Sequence, residues 1–228
     1  LDEVARLADE AAQLKGIQRG TLRVAVSPAI GSAFLPGALG PFRRKWPGVQ
    51  LEVLNVLYPD SLRMLRDGQV ELVIGPVPER ISDPAILVEP LSELRVVVVT
   101  HHRNPRRKTA CLRDLSDANW LVHGPADGPS SLFAPHLPSL PGIGFTRCHS
   151  LTTLLAVMVE SDGFALLSDR LLTQLAARYD LVEVPVSDPL PTFTLSIITR
   201  RHTPITPAAD TLIRNLKEQA GRLITRTQ

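Results

Sequence analysis

Six histidines, at positions 101, 102, 123, 136, 149 and 202, are the side chains best suited to acid–base or metal chemistry near neutral pH. Their spacing argues against most of that chemistry. None belongs to an H-E-x-x-H sequence or to an i, i+4 pair on a helix, the arrangement that puts two imidazoles on one side of a zinc ion. The adjacent His101 and His102 stand in a polar stretch and read as a surface pair rather than a metal site. Cys111 and Cys148 are far apart and make no metal-ligand spacing, so two reduced thiols are expected. No G-x-S-x-G elbow presents a nucleophilic serine. No dinucleotide fingerprint or P-loop is present either, since the segment from Gly124 to Gly128 is too short and lacks a lysine. An enzyme therefore has no constellation of residues to rest on, and neither a metal nor a cofactor is expected.

Binding has better material. Three stretches place serine between a strand and a helix: Ser27 before Pro28, Ser130 or Ser131 after HGPADGP, and Ser150 before Leu151. A helix start carries unpaired amides and the positive end of the helix dipole, which together favour an anion. Each serine could instead do no more than cap its own helix. His123 ends a strand and suits either ligand contact or packing.

The elements that position these residues follow from apolar periodicity. Leu1 to Leu14 has apolar residues at three and four spacing and predicts an amphipathic helix, stopped by Gly16. The chain starts without Met inside this helix, which implies a preceding segment. Thr21 to Trp46 predicts a buried strand, a tight turn at Ser27-Pro28 and a helix with Phe34, Leu35, Ala38, Leu39, Phe42 and Trp46 inward. Strands at Val49 to Val56 and Val70 to Ile74 flank a short helix from Leu62 to Arg66, which opens a doubly wound α/β sheet. Leu87 to Leu91 predicts a short strand and Arg95 to Thr100 a strand buried on both faces. A polar break at 101–108 marks a change of subdomain. The pattern then repeats: strands at Trp120 to Val122, Ile143 to Cys148, Phe164 to Leu167, Leu181 to Val186 and Phe193 to Thr199, with helices at Leu151 to Glu160 and Asp169 to Arg178. A final helix, Pro207 to Ile224, returns to the first subdomain. The expected organisation is a linker helix at 1–19, subdomain I at 20–99 with 200–228, and subdomain II at 100–199, joined by two crossover strands with a ligand cleft between them.

Composition is compatible with this picture. The 228 residues are 44% hydrophobic, with 25 basic and 23 acidic residues and a net charge of +2. That balance suits a sizeable core and shows no basic stripe for gripping DNA; the densest cluster is Arg103, Arg106, Arg107 and Lys108. No apolar run approaches the roughly 20 residues of a membrane helix. Acidic residues at 2, 3, 9 and 10 argue against a secretory leader.

The ordered motifs resemble the effector-binding region of LysR-type transcriptional regulators. They are GTLRVAVSPAI, FLPGALGPFRRKWPGVQLEV, LRMLRDGQVELVIGP with Glu71 where Asp is usual, LVEPLSELRVVVVTHHRNP and VMVESDGFALLSDRL. Within the family, SPAI, LYP and RRHTPITPAADTLIRNL are similar to regulators of aromatic-sulfonate degradation, which hints at an aromatic acid. The resemblance implies two Rossmann-like lobes of the periplasmic-binding-protein type 2 kind, preceded by a linker helix. It implies a cytoplasmic homodimer or homotetramer that meets DNA only through an N-terminal winged helix-turn-helix outside this chain. Effector contacts carried over from the family fall on Ser27, Ala29, Ile30, Tyr58, Pro76, Thr100, His123, Gly124, Ser150 and Leu151. Dimer contacts fall on Phe34, Leu35, Ala38, Phe42 and Trp46. Ala29 and Pro76 replace the usual Thr or Arg, which favours a partly apolar effector over a strongly anionic one. A transporter's solute-binding protein would have a similar lobed fold but would need a leader and a monomeric state; a cleft enzyme would need an acid–base pair.

Overall fold

A computed structural model describes residues 19–77, 81, 83–125 and 145–225. The expected linker helix and the expected helix start at Ser130 or Ser131 lie outside these residues. The chain divides into two compact units, residues 1–92 with 195–228 and residues 93–194.

In unit 1 the sheet runs β2 (Val49–Asn55), β1 (Gly20–Val26), β3 (Leu72–Pro76), β9 (Thr192–Arg200). The first three strands are mutually parallel and β9 is antiparallel to β3. Ala25, Val73 and Ile198 align across three strands and meet Leu62 and Leu65 of the helix α2 (Asp60–Arg66). Alternation turns Val26 to the other face, where it lies under Gly31 of α1 (Pro28–Lys45). Helix α1 packs against α5 (Pro207–Thr225), with Trp46 Nε1–H donating to Thr211 Oγ1 at 3.0 Å and Asn215 donating to the Ala38 carbonyl at 3.1 Å. Pro36 and Pro41 each remove a ladder hydrogen bond from α1. The helix runs through them because its buried face is held by core packing, worth about 1.5–3 kcal/mol per large side chain. The Glu71 carboxylate accepts from the amide and hydroxyl of Thr206 at 2.7 and 3.1 Å, tying β3's approach to the start of α5. A shorter Asp would have to reach further for the same two donors.

In unit 2 the strand order is β6 (Phe145–Cys148), β5 (Trp120–His123), β7 (Phe164–Ser168), β4 (Ile86–His101), with β8 (Leu181–Glu183) on the far end of β4. Strands β5, β6 and β7 are parallel; β4 runs against β7. Trp120 and Phe164 pair in register with ring centroids 6.0 Å apart, and Trp120 Nε1–H donates to the Leu115 carbonyl at 3.0 Å. Val98, Leu112, Leu115, Ala118 and Val184 complete that cluster. Helices α3 (Leu151–Glu160) and α4 (Asp169–Tyr179) follow β6 and β7. Both cysteines are free, Cys148 buried and Cys111 half-buried.

The two expected strands at Leu87 to Leu91 and Arg95 to Thr100 form one strand, β4. Pro90 does not interrupt it because it sits in the solvent-facing first half, where a missing ladder donor costs little. The units also divide several residues earlier than 99/100 and 199/200. The apolar halves of β4 and β9 need sheet on both sides, so each belongs to the unit it enters; the passages fall in the wetter residues just before them.

Candidate functional site

At the carboxyl edge of unit 1, three parallel strands end at Val26, Asn55 and Pro76. Ser27 follows β1 directly. Its amide donates to the Ile74 carbonyl at 2.9 Å, and its carbonyl accepts from Gly31 N–H at 2.8 Å, the first bond of α1. The backbone is thus that of an N-cap, but the Ser27 hydroxyl makes no capping bond. Ser27 is only 5% exposed. Gly75 makes the space, since a Cβ there would lie 3.3 Å from the Ser27 Cβ. Pro28 has no N–H, so the next two donors of the helix start are the amides of Ala29 and Ile30, which have no partner among the described residues.

The helix dipole favours an anion here, since the first turn of α1 holds no acidic residue to offset its positive end. Helix α3 also lacks a first-turn acid, whereas α2, α4 and α5 carry Asp60, Asp169 and Asp210 there. Among the described α-helices, those behind Ser27 and Ser150 are the two with no acidic residue in the first turn.

The serines part company at this level. Ser150 Oγ accepts from Thr153 N–H at 3.3 Å and Ser168 Oγ from Leu171 N–H at 3.2 Å, so both cap their own helices. Ser168 is a cap that the sequence reading missed; Ser-Asp directly before an apolar period was its signal. Ser27 alone of the three keeps its hydroxyl free of its helix.

At the carboxyl edge of unit 2, β5 ends in His123 and Gly124 follows it. Gly124 has φ 88°, which suits glycine; its amide donates to the Cys148 carbonyl at 2.9 Å and its carbonyl accepts from Arg147 at 3.0 Å. His123 Nε2 is buried with no hydrogen-bond partner among the described residues. Burial, and to a lesser degree the neighbouring His149, lowers the His123 pKa from 6.5, so the ring is neutral at pH 7. It can accept or donate one hydrogen bond to a ligand.

The other expected contact residues lie as follows. Thr100 is completely buried, donates to the Gly163 carbonyl at 2.8 Å and accepts from Asn104 Nδ2 at 2.8 Å, so its hydroxyl is spent. It is level with Phe164 and Trp120, three residues from His123, about 10 Å along the strands and toward the opposite edge. The side chains of Ile30 and Leu151 are core, 2% and 8% exposed, leaving only their amides for a ligand. Pro76, the buried end of β3, has no N–H and offers an apolar contact alone. Tyr58 packs its half-buried ring against the cluster of Leu62 and Leu65. Phe34, Leu35, Ala38, Phe42 and Trp46, expected at a dimer face, are 0–7% exposed within unit 1's own core. Their apolar period marks the inner face of α1; the exposed Ser32, Pro36, Gly40 and Arg43 lie on its outer face.

Fold and site together define a class: α/β units in which helices start at the carboxyl edges of parallel strands. The family model described as LysR substrate binding domain matches residues 15–221, and the chain belongs to that family. It is 28% identical over 176 residues to a probable nitrogen assimilation transcriptional activator of Synechococcus elongatus, covering 74% of this chain and 56% of the relative. It is 28% identical over 169 residues to the SDS degradation transcriptional activation protein of a Pseudomonas species, covering 71% and 54%. The chain thus spans little more than half the length of these two regulators. Among solved structures, a putative transcriptional regulator from Vibrio parahaemolyticus matches with TM-score 0.76 and 22% identity, over 91% of this chain and 97% of that one. The BenM effector binding domain with its effector benzoate matches with TM-score 0.69 and 21% identity, over 90% and 93%. These matches support the mixed α/β fold; the curated relatives are named as transcriptional regulators rather than enzymes. No described helix is long and apolar enough to cross a membrane.

Proposed function

We propose that the chain is the effector sensor of a LysR-type regulator and that its effector is a small, partly apolar organic acid. The start of α1 supports this reading: a nearly buried serine hydroxyl free of its own helix, beside two amides without a partner among the described residues and a positive helix end with no acid in its first turn. The acid group of the effector takes these donors. Ala29 and Pro76 favour apolar substance in the rest of the molecule, and the benzoate of BenM suggests an aromatic carboxylate as the first probe. His123 and the Gly124 turn are the second candidate contact, with Ser150 and Leu151 beside them.

Binding shifts the population of two arrangements of a cytoplasmic homodimer or homotetramer. DNA contact falls to a winged helix-turn-helix outside these residues. The outer face of α1, not its buried one, is what this helix can offer a partner subunit.

A thermal-shift screen with benzoate, benzenesulfonate and succinate tests the reading, because a ligand of the native state raises the melting temperature by mass action. Calorimetry on the best ligand then compares wild type with Ser27→Ala. Losing a hydrogen bond to a charged group costs about 1.5–3 kcal/mol, so affinity should fall roughly tenfold to a hundredfold. Equal affinity in the variant removes Ser27 from the site.

A further inference from the structure

We propose that His101, His102 and Asp180 form a binding site for a divalent transition-metal ion of the zinc class. One ligand atom from each residue lies within 4.8 Å of the other two. Two imidazoles and a carboxylate are a donor set suited to zinc, nickel or cobalt rather than to magnesium or calcium, which take oxygen ligands. Tetrahedral coordination at about 2.0–2.1 Å sets ligand atoms about 3.3 Å apart. The contraction needed falls on His102 and Asp180, whose side chains are exposed and free to rotate.

The backbone already holds the three together. His101 pairs with Leu181 in the β4–β8 ladder, and His102 N–H donates to the Asp180 carbonyl at 2.8 Å. Asp180 sits in the left-handed region at φ 50°, ψ 42°, with its amide bonded to the Ala176 carbonyl. That conformation turns the chain sharply from α4 into β8 and leaves the carboxylate beside the histidines. The expectation of a surface pair holds for His102 only: His101 is 5% exposed. Its Nδ1 accepts from Arg103 N–H at 3.4 Å, a long bond whose loss to a metal costs little. The Asp180 carboxylate has no ion-pair partner among the described residues, although Arg103, Arg106, Arg107 and Lys108 follow the two histidines closely in sequence. Bound metal would cross-link the exit of β4 to the entrance of β8. The site is at the opposite end of unit 2's strands from His123 and does not depend on the effector reading.

The test uses the untagged chain after chelator treatment, titrated with zinc chloride by calorimetry and with cobalt chloride by visible absorption. One equivalent of zinc should bind, with cobalt showing the intense bands of tetrahedral coordination. Second-sphere changes at metal sites commonly cost 10–100-fold in affinity, so losing a ligand in His102→Ala or Asp180→Asn should weaken zinc at least tenfold. Asparagine tolerates the left-handed conformation, so D180N keeps the turn. His202→Ala, at an exposed histidine elsewhere in the chain, should bind as wild type does. Absence of saturable zinc binding below millimolar concentration overturns the proposal, as do H102A and D180N variants that bind as tightly as wild type.

Discussion

Replacing Thr100 by valine separates a structural hydroxyl from a ligand contact. The side chain is wholly buried in unit 2, with one bond given to Gly163 and one taken from Asn104, both at 2.8 Å. Valine keeps the shape and removes both bonds. Asn104 is 1% exposed and retains a 3.0 Å bond to the Asp162 carbonyl, so it is weakened rather than orphaned. A net hydrogen bond is worth about 1 kcal/mol and a stranded buried partner costs about 1–3 kcal/mol, which gives roughly 2–4 kcal/mol for T100V. At about 2–4 °C per kcal/mol for a chain of this size, the melting temperature should fall by roughly 5–15 °C. Thr100→Ser keeps the hydroxyl and loses one methyl, about 1 kcal/mol. Differential scanning fluorimetry reads both, and calorimetry with an effector found by screening should show unchanged affinity at a temperature where T100V remains folded. A T100V protein as stable as wild type, or one that is stable but has lost its effector, refutes this assignment.

Trp46→Phe removes the 3.0 Å bond to Thr211 and part of the contact between α1 and α5. It should cost about 1–3 kcal/mol in chemical denaturation followed by Trp120 fluorescence, with oligomeric state unchanged by sedimentation. A changed oligomer with unchanged stability would restore Trp46 to a subunit interface. His123→Asn should flatten the acid side of the stability profile. The folded pKa of His123 lies below its unfolded value of 6.5, so the unfolded chain takes up the proton first. This residue's effect is therefore absent above pH 6.5; stability is lost as pH falls through 6.5 and the loss levels off below the folded pKa. Equal slopes for wild type and variant would place the group in an environment like water.

Elements with strong apolar periods were legible in the chain. The Thr21 to Trp46 unit and the final helix lie where their patterns put them, while the strand expected at Val70 to Ile74 runs two residues later, Leu72–Pro76. The site was legible only as positions. Three serines shared one sequence signature, and only hydrogen bonding separates Ser27, which spares its hydroxyl, from Ser150, which does not. Thr100 misled because a run buried on both faces says nothing of strand direction; β4 turns out antiparallel to β7, which carries its end away from His123. The five apolar residues of α1 misled for a related reason, since one helical period describes a core face and an interface equally well. His101, Asp180 and their closeness depend on the β4–β8 pairing, which no local spacing announces.

If an acid effector is held by the amides opening α1, a nitrogen-15 amide correlation titration of the chain with the carboxylate selected by thermal shift will see it. The Ala29 and Ile30 amides should move downfield and saturate with the calorimetric affinity, and Ser27→Ala should weaken that saturation. A carboxylate that binds and stabilises the chain while leaving those two resonances in place would mean that the effector is held elsewhere.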